Sequence, residues 1–339
     1  MPARILNVAV IGCGRIGHIH AENLATRIPG ARLAAVADVA AHAADLLAVQ
    51  LHVSKATGDY HELLADPAIG AVAICSSTDT HARIIQEAAA AGKHIFCEKP
   101  IDYDLGRIRA ALAAVEQARV QLQIGFNRRF DPSFAKVREL VASGAIGQPH
   151  LIRVTSRDPG PPPLEYIKVS GGIFLDMTIH DFDMVRFLSG SEAVEIYAVG
   201  DALVDPAIRE AGDVDTAIVT LRLRNGALAT IDNSRRAVYG YDQRIEVFGS
   251  KGSASAGNRT PDAHLLLDAA GAHEARPRQF FLDRYAEAYV IEMRAFVEAV
   301  LHDRQPPVTG ADGLQPVVMG LAAARSLREG RPVKLSEIV

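Results

Sequence analysis

Cysteine, tryptophan and long apolar runs are scarce or absent in this sequence. The three cysteines, Cys13, Cys75 and Cys97, have no metal-ligand spacing, and their odd number argues against a disulfide framework. No run reaches the roughly 18 apolar residues that a membrane helix requires. The first residues lead directly into a strand pattern and show no secretory signal. We therefore expect a cytoplasmic protein without a metal site, structural disulfides or membrane contact.

An excess of charge of either sign is also missing. The sequence has 36 Lys and Arg residues against 40 Asp and Glu residues, a formal net charge of −4, and the basic residues are scattered. Binding to nucleic acid needs a basic stripe that neutralises phosphates, so we do not expect nucleic acid as a partner. The length of 339 residues exceeds the roughly 250 to 300 residues at which single cores stop growing, which predicts two domains.

The first 126 residues alternate short apolar runs with longer alanine-rich stretches, as βαβ units of a parallel sheet do. The apolar runs show little polar alternation, which is typical of strands covered by helices on both faces. The pattern predicts a doubly wound α/β Rossmann domain over residues 1–126. Its strands are predicted at 7–11, 32–38, 71–75, 94–97 and 121–125, and its helices at 17–27, 40–51, 79–91 and 105–119.

Residues 127–339 are predicted to form an α+β domain with a large, open, mostly antiparallel sheet. Asn225-Gly226 lies between two alternating runs and predicts a two-residue hairpin turn, because this pair tolerates positive φ angles. The prolines at 159–163 predict a loop. Strands are predicted at 150–156, 194–200, 216–223, 229–235 and 244–248, and helices at 174–188, 284–302 and 313–329. The last helix is expected to pack back on the first domain.

A Gly-x-Gly-x-x-Gly motif directly follows the first predicted strand and opens a helix. In this context Gly12 permits a tight turn, Gly14 lets the backbone approach a pyrophosphate, and Gly17 allows close packing of helix on strand. The helix N-terminus at Arg15 and Ile16 offers free amides to the phosphates. A glycine-rich turn without a ligand is the alternative interpretation.

The second strand ends on Asp38, 21 residues after Gly17. A carboxylate at this place accepts hydrogen bonds from the adenosine ribose and repels a 2′-phosphate, which favours NAD over NADP. An N-cap of the following helix is the alternative role for Asp38. Arg15 can reach a phosphate on the ribose and keeps NADP open as the less favoured cofactor.

Glu98-Lys99-Pro100 closes the fourth predicted strand, at the sheet edge where open α/β folds bind ligands. Because proline disfavours helix at the residue before it, Lys99 is expected to present its ammonium at the cleft, where it can stabilise a developing alkoxide. A solvated surface lysine is the alternative.

Asp176 and His180 are four residues apart in a predicted helix, which places both on one face, and Asp183 shares a face with His180. Oxidation of an alcohol requires a base, and a histidine oriented by a carboxylate suits that role. A structural pair is the alternative. These residues do not complete a zinc site, and His18 and His20, two apart, make no convincing site either.

Taken together, these motifs resemble the Gfo/Idh/MocA oxidoreductases over essentially the whole chain, and in particular their bacterial inositol-dehydrogenase members. The likeness rests on the glycine motif, on Glu98-Lys99-Pro100, on residues 125–130 at the domain junction, on 155–163 and on the Gly-Gly to His-Asp-Phe-Asp segment at 171–183. It implies NAD-dependent oxidation of a secondary hydroxyl of a cyclic polyol, with myo-inositol as the expected substrate. A scyllo-inositol or glucose-like pyranose dehydrogenase, and a non-catalytic NAD-binding sensor, are the alternatives.

The resemblance also implies roles for single residues. Lys99 matches the lysine that touches substrate and nicotinamide, and Asp176 and His180 match the catalytic pair, with His180 as general base. Two departures from the family pattern are Thr78-Asp79 where Thr-Pro is common, and Leu175 where related dehydrogenases often carry a polar residue. The remaining cofactor candidates are Ser76, Thr78, His81 and Glu98, and the remaining substrate candidates are Arg129, Arg157, Asp158, Asp183, Tyr239 and Tyr241.

Two features concern the second domain alone. A hairpin with exposed tyrosines is the alternative for the Tyr239 and Tyr241 segment. The outer face of the predicted sheet needs a cover, and another subunit is expected to provide it. The apolar residues considered for that face are Ile218, Val219, Leu221, Leu228 and Ile231. The resemblance implies a homotetramer.

Overall fold

The computed structural model describes residues 4–338. The chain forms two compact units: the first takes residues up to Phe130 together with Glu287–Gln315, and the second takes Asp131–Ala286 and the residues from Pro316 onward. Among the described residues, every helix is too short or too polar to cross a membrane.

The first unit is built on a sheet of six parallel strands in the order β3-β2-β1-β4-β5-β6, which confirms the predicted doubly wound Rossmann fold. Helices connect the strands, so that the central strands are buried on both faces. The short β3 and α3 escaped prediction. The elements are β1 (Leu6–Ile11), α1 (Arg15–Thr26), β2 (Ala31–Ala37), α2 (Ala41–Gln50), β3 (Ala56–Thr57), α3 (His61–Leu64), β4 (Ala71–Ile74), α4 (Thr78–Ala90), β5 (His94–Glu98), α5 (Leu105–Ala118) and β6 (Leu122–Gly125), followed by a 3₁₀ turn at Asn127–Phe130.

Helix α12 (Ala286–Leu301) comes late in the chain and completes the core of the first unit. The Phe296 ring meets the Phe96 ring of β5 edge-on, with centroids 6.0 Å apart. Gln123 on β6 donates from Nε2 to the Glu292 carbonyl oxygen over 2.9 Å. This packing explains why Glu287–Gln315 belongs to the first unit although it lies far along the chain.

The second unit contains a seven-stranded sheet in the order β12-β11-β7-β10-β9-β8-β15. Only β7 and β10 run parallel; the other neighbours are antiparallel, as predicted for most of this sheet. Helices α6 and α9 pack on one face. The remaining elements of the chain are α6 (Pro132–Ala142), β7 (Pro149–Arg157), α7 (Leu164–Ile167), α8 (Gly172–Asp176), α9 (Ile179–Ser189), β8 (Ala193–Asp201), α10 (Pro206–Glu210), β9 (Thr216–Leu223), β10 (Leu228–Ser234), β11 (Asp242–Gly249), β12 (Gly252–Ala256), β13 (Leu265–Asp268), β14 (Gly271–Glu274), α11 (Phe281–Arg284), α12 (Ala286–Leu301), α13 (Gly310–Glu329) and β15 (Val333–Lys334).

The predicted hairpin turn at Asn225-Gly226 is wrong in type. Leu223 N donates to the Ala227 carbonyl over 2.9 Å, so three residues form the loop. Gly226 has a φ of +88°, and Asn225 is not among the residues with positive φ. The loop is therefore a three-residue connection with one left-handed glycine, rather than a two-residue turn that needs two left-handed residues.

The predicted helix at 174–188 is also wrong, because the chain forms α8 and α9 with a break at Met177 and Thr178. Thr178 N bonds to the Ile173 carbonyl, five residues back, and its hydroxyl donates to Asn233 Oδ1 on β10 over 2.6 Å. This buried side-chain bond holds the chain where the regular helical pattern is lost. The predicted helix at 284–302 agrees with α12 to within two residues, and the short α11 precedes it.

Candidate functional site

The glycine motif joins β1 to α1 at the carboxyl edge of the parallel sheet. Gly12 has a φ of +96°, and a Cβ there would lie 2.6 Å from the Cys75 backbone. A Cβ on Gly17 would lie 1.8 Å from the Gly12 carbonyl oxygen. A Cβ on Gly14, the N-cap of α1, would meet nothing within 4 Å. Two glycines thus permit close packing, and the third leaves open space at the helix N-terminus for a phosphate group.

Asp38 directly follows β2 and its carboxylate faces this loop. Oδ2 accepts a 2.7 Å hydrogen bond from the Cys13 amide, and Oδ1 accepts a 2.9 Å bond from the Ala40 amide. Burial and the nearby Asp38 charge raise the pKa of the Cys13 thiol to about 12. The carboxylate is therefore hydrogen-bonded to the glycine loop, residues 12–17. Its half-buried side chain lies at the sheet edge where a ribose binds in this type of fold.

Arg15 and Ile16 are the first two residues of α1, and Arg15 is exposed. On the neighbouring strand β4, the turn into α4 carries Ser76 and Thr78, both half-buried. Ser76 Oγ lies 2.7 Å from Thr80 Oγ1. These positions line the gap between β1 and β4, which is the point where the strand order reverses and where doubly wound folds bind dinucleotides.

His81 points into the protein rather than toward this gap. It is 2 % exposed, with Nδ1 2.8 Å from the Pro100 carbonyl oxygen and Nε2 3.0 Å from the Ser76 carbonyl oxygen. Burial lowers the pKa of His81, while the two carbonyls oppose that shift. The side chain joins two loops of the site.

Glu98 and Lys99 follow at the end of β5, on the same edge as the glycine loop because β1, β4 and β5 are parallel neighbours. Glu98 Oε1 is hydrogen-bonded to His20 Nε2 over 2.7 Å. A Cβ on Gly125 would come within 2.9 Å of the Glu98 carboxylate, so this glycine makes room for it. Lys99 is half-buried and precedes Pro100 in a cis peptide bond.

Arg129, a predicted substrate residue, lies in the 3₁₀ turn after β6. Its Nη2 donates to Asp312 Oδ1 over 2.9 Å, and its side chain is only 10 % exposed. Within the first unit, Arg129 is thus bound to the start of α13.

In the second unit, Asp176 is the last residue of α8 and His180 is the second of α9. Because α8 ends at Asp176 and α9 begins at Ile179, the two residues do not share one continuous helix, contrary to the prediction. Asp176 Oδ1 accepts from the Tyr166 hydroxyl over 2.9 Å, and Oδ2 accepts from Arg235 Nη1 over 3.1 Å. Asp183 is buried on α9, with a carboxylate oxygen 3.6 Å from Arg186.

Buried polar contacts fix the start of α9. Asn233 on β10 accepts from the Thr178 hydroxyl and donates from Nδ2 to Asp181 over 2.8 Å. The same amide nitrogen lies 3.2 Å from the Ser156 carbonyl of β7. Because buried polar groups are costly without partners, this network holds the backbone on both sides of His180 in one arrangement.

Another group of predicted substrate residues lies at the ends of β7 and β10. Arg157 forms an ion pair with Asp232 and donates from Nη1 to the Tyr239 hydroxyl over 3.1 Å. Tyr239 in turn donates to Asp242 over 2.6 Å. The hydrogen bond to Asp232 raises the pKa of Arg157 further above its usual value. The structure thus brings Arg157 and Tyr239 together.

Two other predicted substrate residues, Tyr241 and Asp158, are not part of this hydrogen-bonded group. Tyr241 is 5 % exposed and meets the Tyr285 ring edge-on, so it is a core residue and not an exposed tyrosine of a hairpin. Asp158 lies in the following turn, where its backbone bonds to Ser234 and Ala237.

Arg235 was not predicted as a site residue; it is 1 % exposed and reaches Asp176. Its Nη2 lies 3.8 Å from Asp213, and burial raises the pKa of the Asp213 carboxyl. Asp213 Oδ1 accepts from the Ile173 amide of α8 over 3.1 Å. No spacing rule reveals these contacts, since Arg235 follows β10 and is distant in sequence from Asp176.

Comparison with known proteins gives two family matches. Residues 6–126 match the model described as "Oxidoreductase family, NAD-binding Rossmann fold". Residues 134–255 match the "GFO/IDH/MocA C-terminal domain".

Individual relatives align over nearly the full chain. A protein of Thermotoga maritima named myo-inositol 2-dehydrogenase is 51 % identical over 334 residues, which is 98 % of this chain and 100 % of the relative. A crystal structure of a probable dehydrogenase from Thermotoga maritima superposes with a TM-score of 0.97, at 51 % identity, covering 98 % of this chain and 100 % of the other. A scyllo-inositol dehydrogenase from Lactobacillus casei, crystallised with NAD(H) and scyllo-inositol, has a TM-score of 0.92 at 32 % identity and covers 98 % and 100 %.

The glycine geometry predicts different defects for two alanine substitutions. Gly17→Ala places a Cβ 1.8 Å from the Gly12 oxygen and should lower the free energy of unfolding by about 1–3 kcal/mol or more. Gly14→Ala meets nothing within 4 Å, so it should keep the wild-type Tm but weaken NAD binding by at least ~10-fold. Thermal melts and NAD titrations measure both effects. A Gly14→Ala protein with wild-type NAD affinity would contradict the phosphate role of this loop.

Proposed function

The chain belongs to the Gfo/Idh/MocA oxidoreductase family, and we propose that it oxidises a secondary hydroxyl of a cyclic polyol, with myo-inositol as the substrate and 2-keto-myo-inositol as the product. The observation that supports this most directly is the common sheet edge. The glycine loop, Asp38 and Lys99 follow parallel strands of one sheet, β1, β2 and β5, and therefore end at the same edge. This arrangement is consistent with a lysine at the nicotinamide end of a bound dinucleotide.

The residues at that edge fit NAD. The open space at Gly14 leaves the α1 amides free for a pyrophosphate, and the half-buried Asp38 carboxylate offers acceptors for ribose hydroxyls. Arg15, Ile16, Ser76 and Thr78 follow on α1 and on the turn into α4. When bound, NAD supplies the acceptor for the hydride. The protein residues must then bind the polyol and remove its hydroxyl proton.

We assign the proton transfer to His180. The imidazole of a histidine changes its charge near physiological pH. It can therefore take the hydroxyl proton and release it again. Asp176 is proposed as the carboxylate partner of this reaction. Tyr166 and the buried Arg235 already donate to Asp176, and these two hydrogen bonds fix the orientation of its carboxylate.

Lys99 is proposed to donate a hydrogen bond to the same hydroxyl and to stabilise the negative charge that develops on its oxygen. The other hydroxyls of a polyol ring need paired donors and acceptors, because a buried polar group without a partner costs about 1–3 kcal/mol. Asp183 and Arg129 remain proposals for that task, as do Arg157, Asp158 and Tyr239. Tyr241 was also predicted for this task, but its ring lies in the core.

A solved structure suggests a second candidate for the ring. The scyllo-inositol dehydrogenase of Lactobacillus casei shares the fold at a TM-score of 0.92, so scyllo-inositol is the second candidate. Stereoisomers differ only in which hydroxyl faces the hydride path, and a pyranose presents a similar ring. A non-catalytic sensor remains the alternative from another class.

An assay of inositol stereoisomers and aldoses, each with NAD and with NADP, tests the substrate and the cofactor together. We expect NADH to appear at ~340 nm with myo-inositol and the highest kcat/KM for that substrate with NAD, because Asp38 repels a 2′-phosphate. A higher kcat/KM for scyllo-inositol or glucose than for myo-inositol would show that the proposed substrate is wrong. The absence of turnover with every compound, combined with NAD binding, would support the sensor.

A further prediction concerns the general base. His180→Ala should lower kcat by about 100-fold or more, since general base catalysis contributes about 10²–10⁴-fold, while the Kd for NAD stays within about twofold. His302→Ala, which changes an exposed histidine just after α12, is the matched control and should leave both values unchanged. Loss of NAD binding in His180→Ala, or unaltered turnover, would count against this role.

We also propose that the protein is a cytoplasmic homotetramer and that a second copy covers the open face of the second-unit sheet. Of the five residues predicted for that face, Ile218 and Leu228 are exposed and the other three are buried. Val219, Leu221 and Ile231 are 0–3 % exposed and belong to the core, because successive side chains of a strand alternate between its faces. Ile218 and Leu228 are 52 % and 42 % exposed, and Leu151, Val199 and Phe248 add to the exposed apolar surface.

This subunit contact is tested by mass. Light scattering during size-exclusion chromatography should give a tetramer for the wild type and a smaller species for Ile218→Glu, because burying an unpaired carboxylate in an apolar interface is costly. Leu46→Glu introduces the same charge at an exposed apolar residue of α2 in the first unit and should keep the wild-type mass. A wild-type monomer at assay concentration would refute the proposal.

A further inference from the structure

Two buried histidines contact the residues on either side of Lys99. His20, from α1, is hydrogen-bonded through Nε2 to Glu98 Oε1 over 2.7 Å. His81, from α4, has Nδ1 2.8 Å from the Pro100 carbonyl oxygen. The two rings are 0 % and 2 % exposed. We call Glu98-Lys99-Pro100 the lysine turn. Each histidine therefore connects the lysine turn to a different helix of the first unit.

These helices also carry the nucleotide-binding loops of the proposed site. Helix α1 begins at the glycine loop, and α4 begins after Ser76. His81 contacts the turn at Ser76 as well as Pro100, because its Nε2 lies 3.0 Å from the Ser76 carbonyl oxygen. A displacement of either loop relative to the lysine turn would have to break one of these contacts.

The surroundings of His20 leave its ring little freedom. The Phe96 ring lies 4.8 Å from it and the Tyr289 ring 5.7 Å, measured between centroids. Glu292, which is fully buried, completes a group in which the nearest imidazole and carboxylate atoms lie within 4.8 Å of one another. Within this group, the 2.7 Å separation of His20 and Glu98 is that of a direct hydrogen bond.

We propose that His20 and His81 are positioning residues that hold the Lys99 ammonium in place for the reacting hydroxyl. The inference rests on the proposed function, since it gives Lys99 a role in turnover. A lysine side chain is long and flexible, so the backbone at Glu98 and Pro100 determines where it starts and which positions it reaches. A misplacement of ~1 Å at a reacting group can cost on the order of 100-fold in rate.

For His81, two substitutions separate the two contacts. The amide nitrogen of asparagine takes the approximate place of Nδ1, and that of glutamine takes the place of Nε2. His81→Asn can keep the Pro100 contact, whereas His81→Gln keeps only the Ser76 contact. We expect kcat to fall 10- to 100-fold in His81→Gln and to stay within about threefold in His81→Asn. The Kd for NAD and the Tm should be similar in both proteins.

For His20, glutamine can preserve a donor to Glu98 and leucine cannot. His20→Gln should retain most of the wild-type kcat. His20→Leu should lose most of the wild-type kcat, and its KM for the polyol should not rise by an equal factor. If the histidines only stabilised the fold, each pair would instead differ in Tm and share one kcat. Equal kcat within both pairs of folded proteins, or losses confined to NAD affinity, would overturn the inference.

The wild-type protein distinguishes this failure from a failure of the proposed function. If it turns over none of the polyols in the assay, the function itself is wrong. If it turns over a polyol and the four variants follow the wild type, the function stands and the positioning role of the histidines falls.

Discussion

The contact between Gly17 and the Gly12 carbonyl determines how closely α1 approaches the end of β1. A single methyl group at Gly17 would lie 1.8 Å from that oxygen, so the approach exists only because the side chain is absent. The close approach brings the amides of the α1 N-terminus over the sheet edge. The Asp38 bond to the Cys13 amide and the His20 bond to Glu98 both depend on where α1 lies. The dinucleotide-binding part of the protein is therefore organised around one backbone contact.

In the second unit, the corresponding constraint is the cost of burying charge. Arg235 is 1 % exposed, and its contacts with Asp176 and Asp213 keep its guanidinium from being an isolated buried charge. The neutral counterpart is Asn233, which bonds to Thr178 and Asp181 around the break between α8 and α9. These contacts give the proposed Asp176 and His180 pair a fixed backbone. They also explain why a chemically suitable spacing in the sequence does not form one regular helix.

Much of the first unit was predictable because its signals are local. Apolar runs of strand length, alanine-rich helices and the glycine motif each report the conformation of neighbouring residues, and the predicted strands agree with the observed ones to within about a residue. The errors arose where long-range contacts override local pattern. Thr178 is held by a strand 55 residues away. The loop at Asn225 has one left-handed residue rather than two, and the Asn225 amide donates to Ser191 Oγ, 34 residues away. The assignment of Glu287–Gln315 to the first unit depends likewise on packing against β5 and β6.

The sequence by itself determined the class of fold, the nucleotide-binding edge, the preference for NAD and the residue types proposed for the chemistry. These follow from the chemical properties of single residues and their spacing along one strand or helix. Tertiary structure alone decided which buried groups support them. Arg235 reaches Asp176 across 59 residues of chain, and His20 reaches Glu98 across 78. Such pairs form because the fold places two polar groups in the same desolvated space, where each needs the other, and no periodicity in the sequence encodes that requirement.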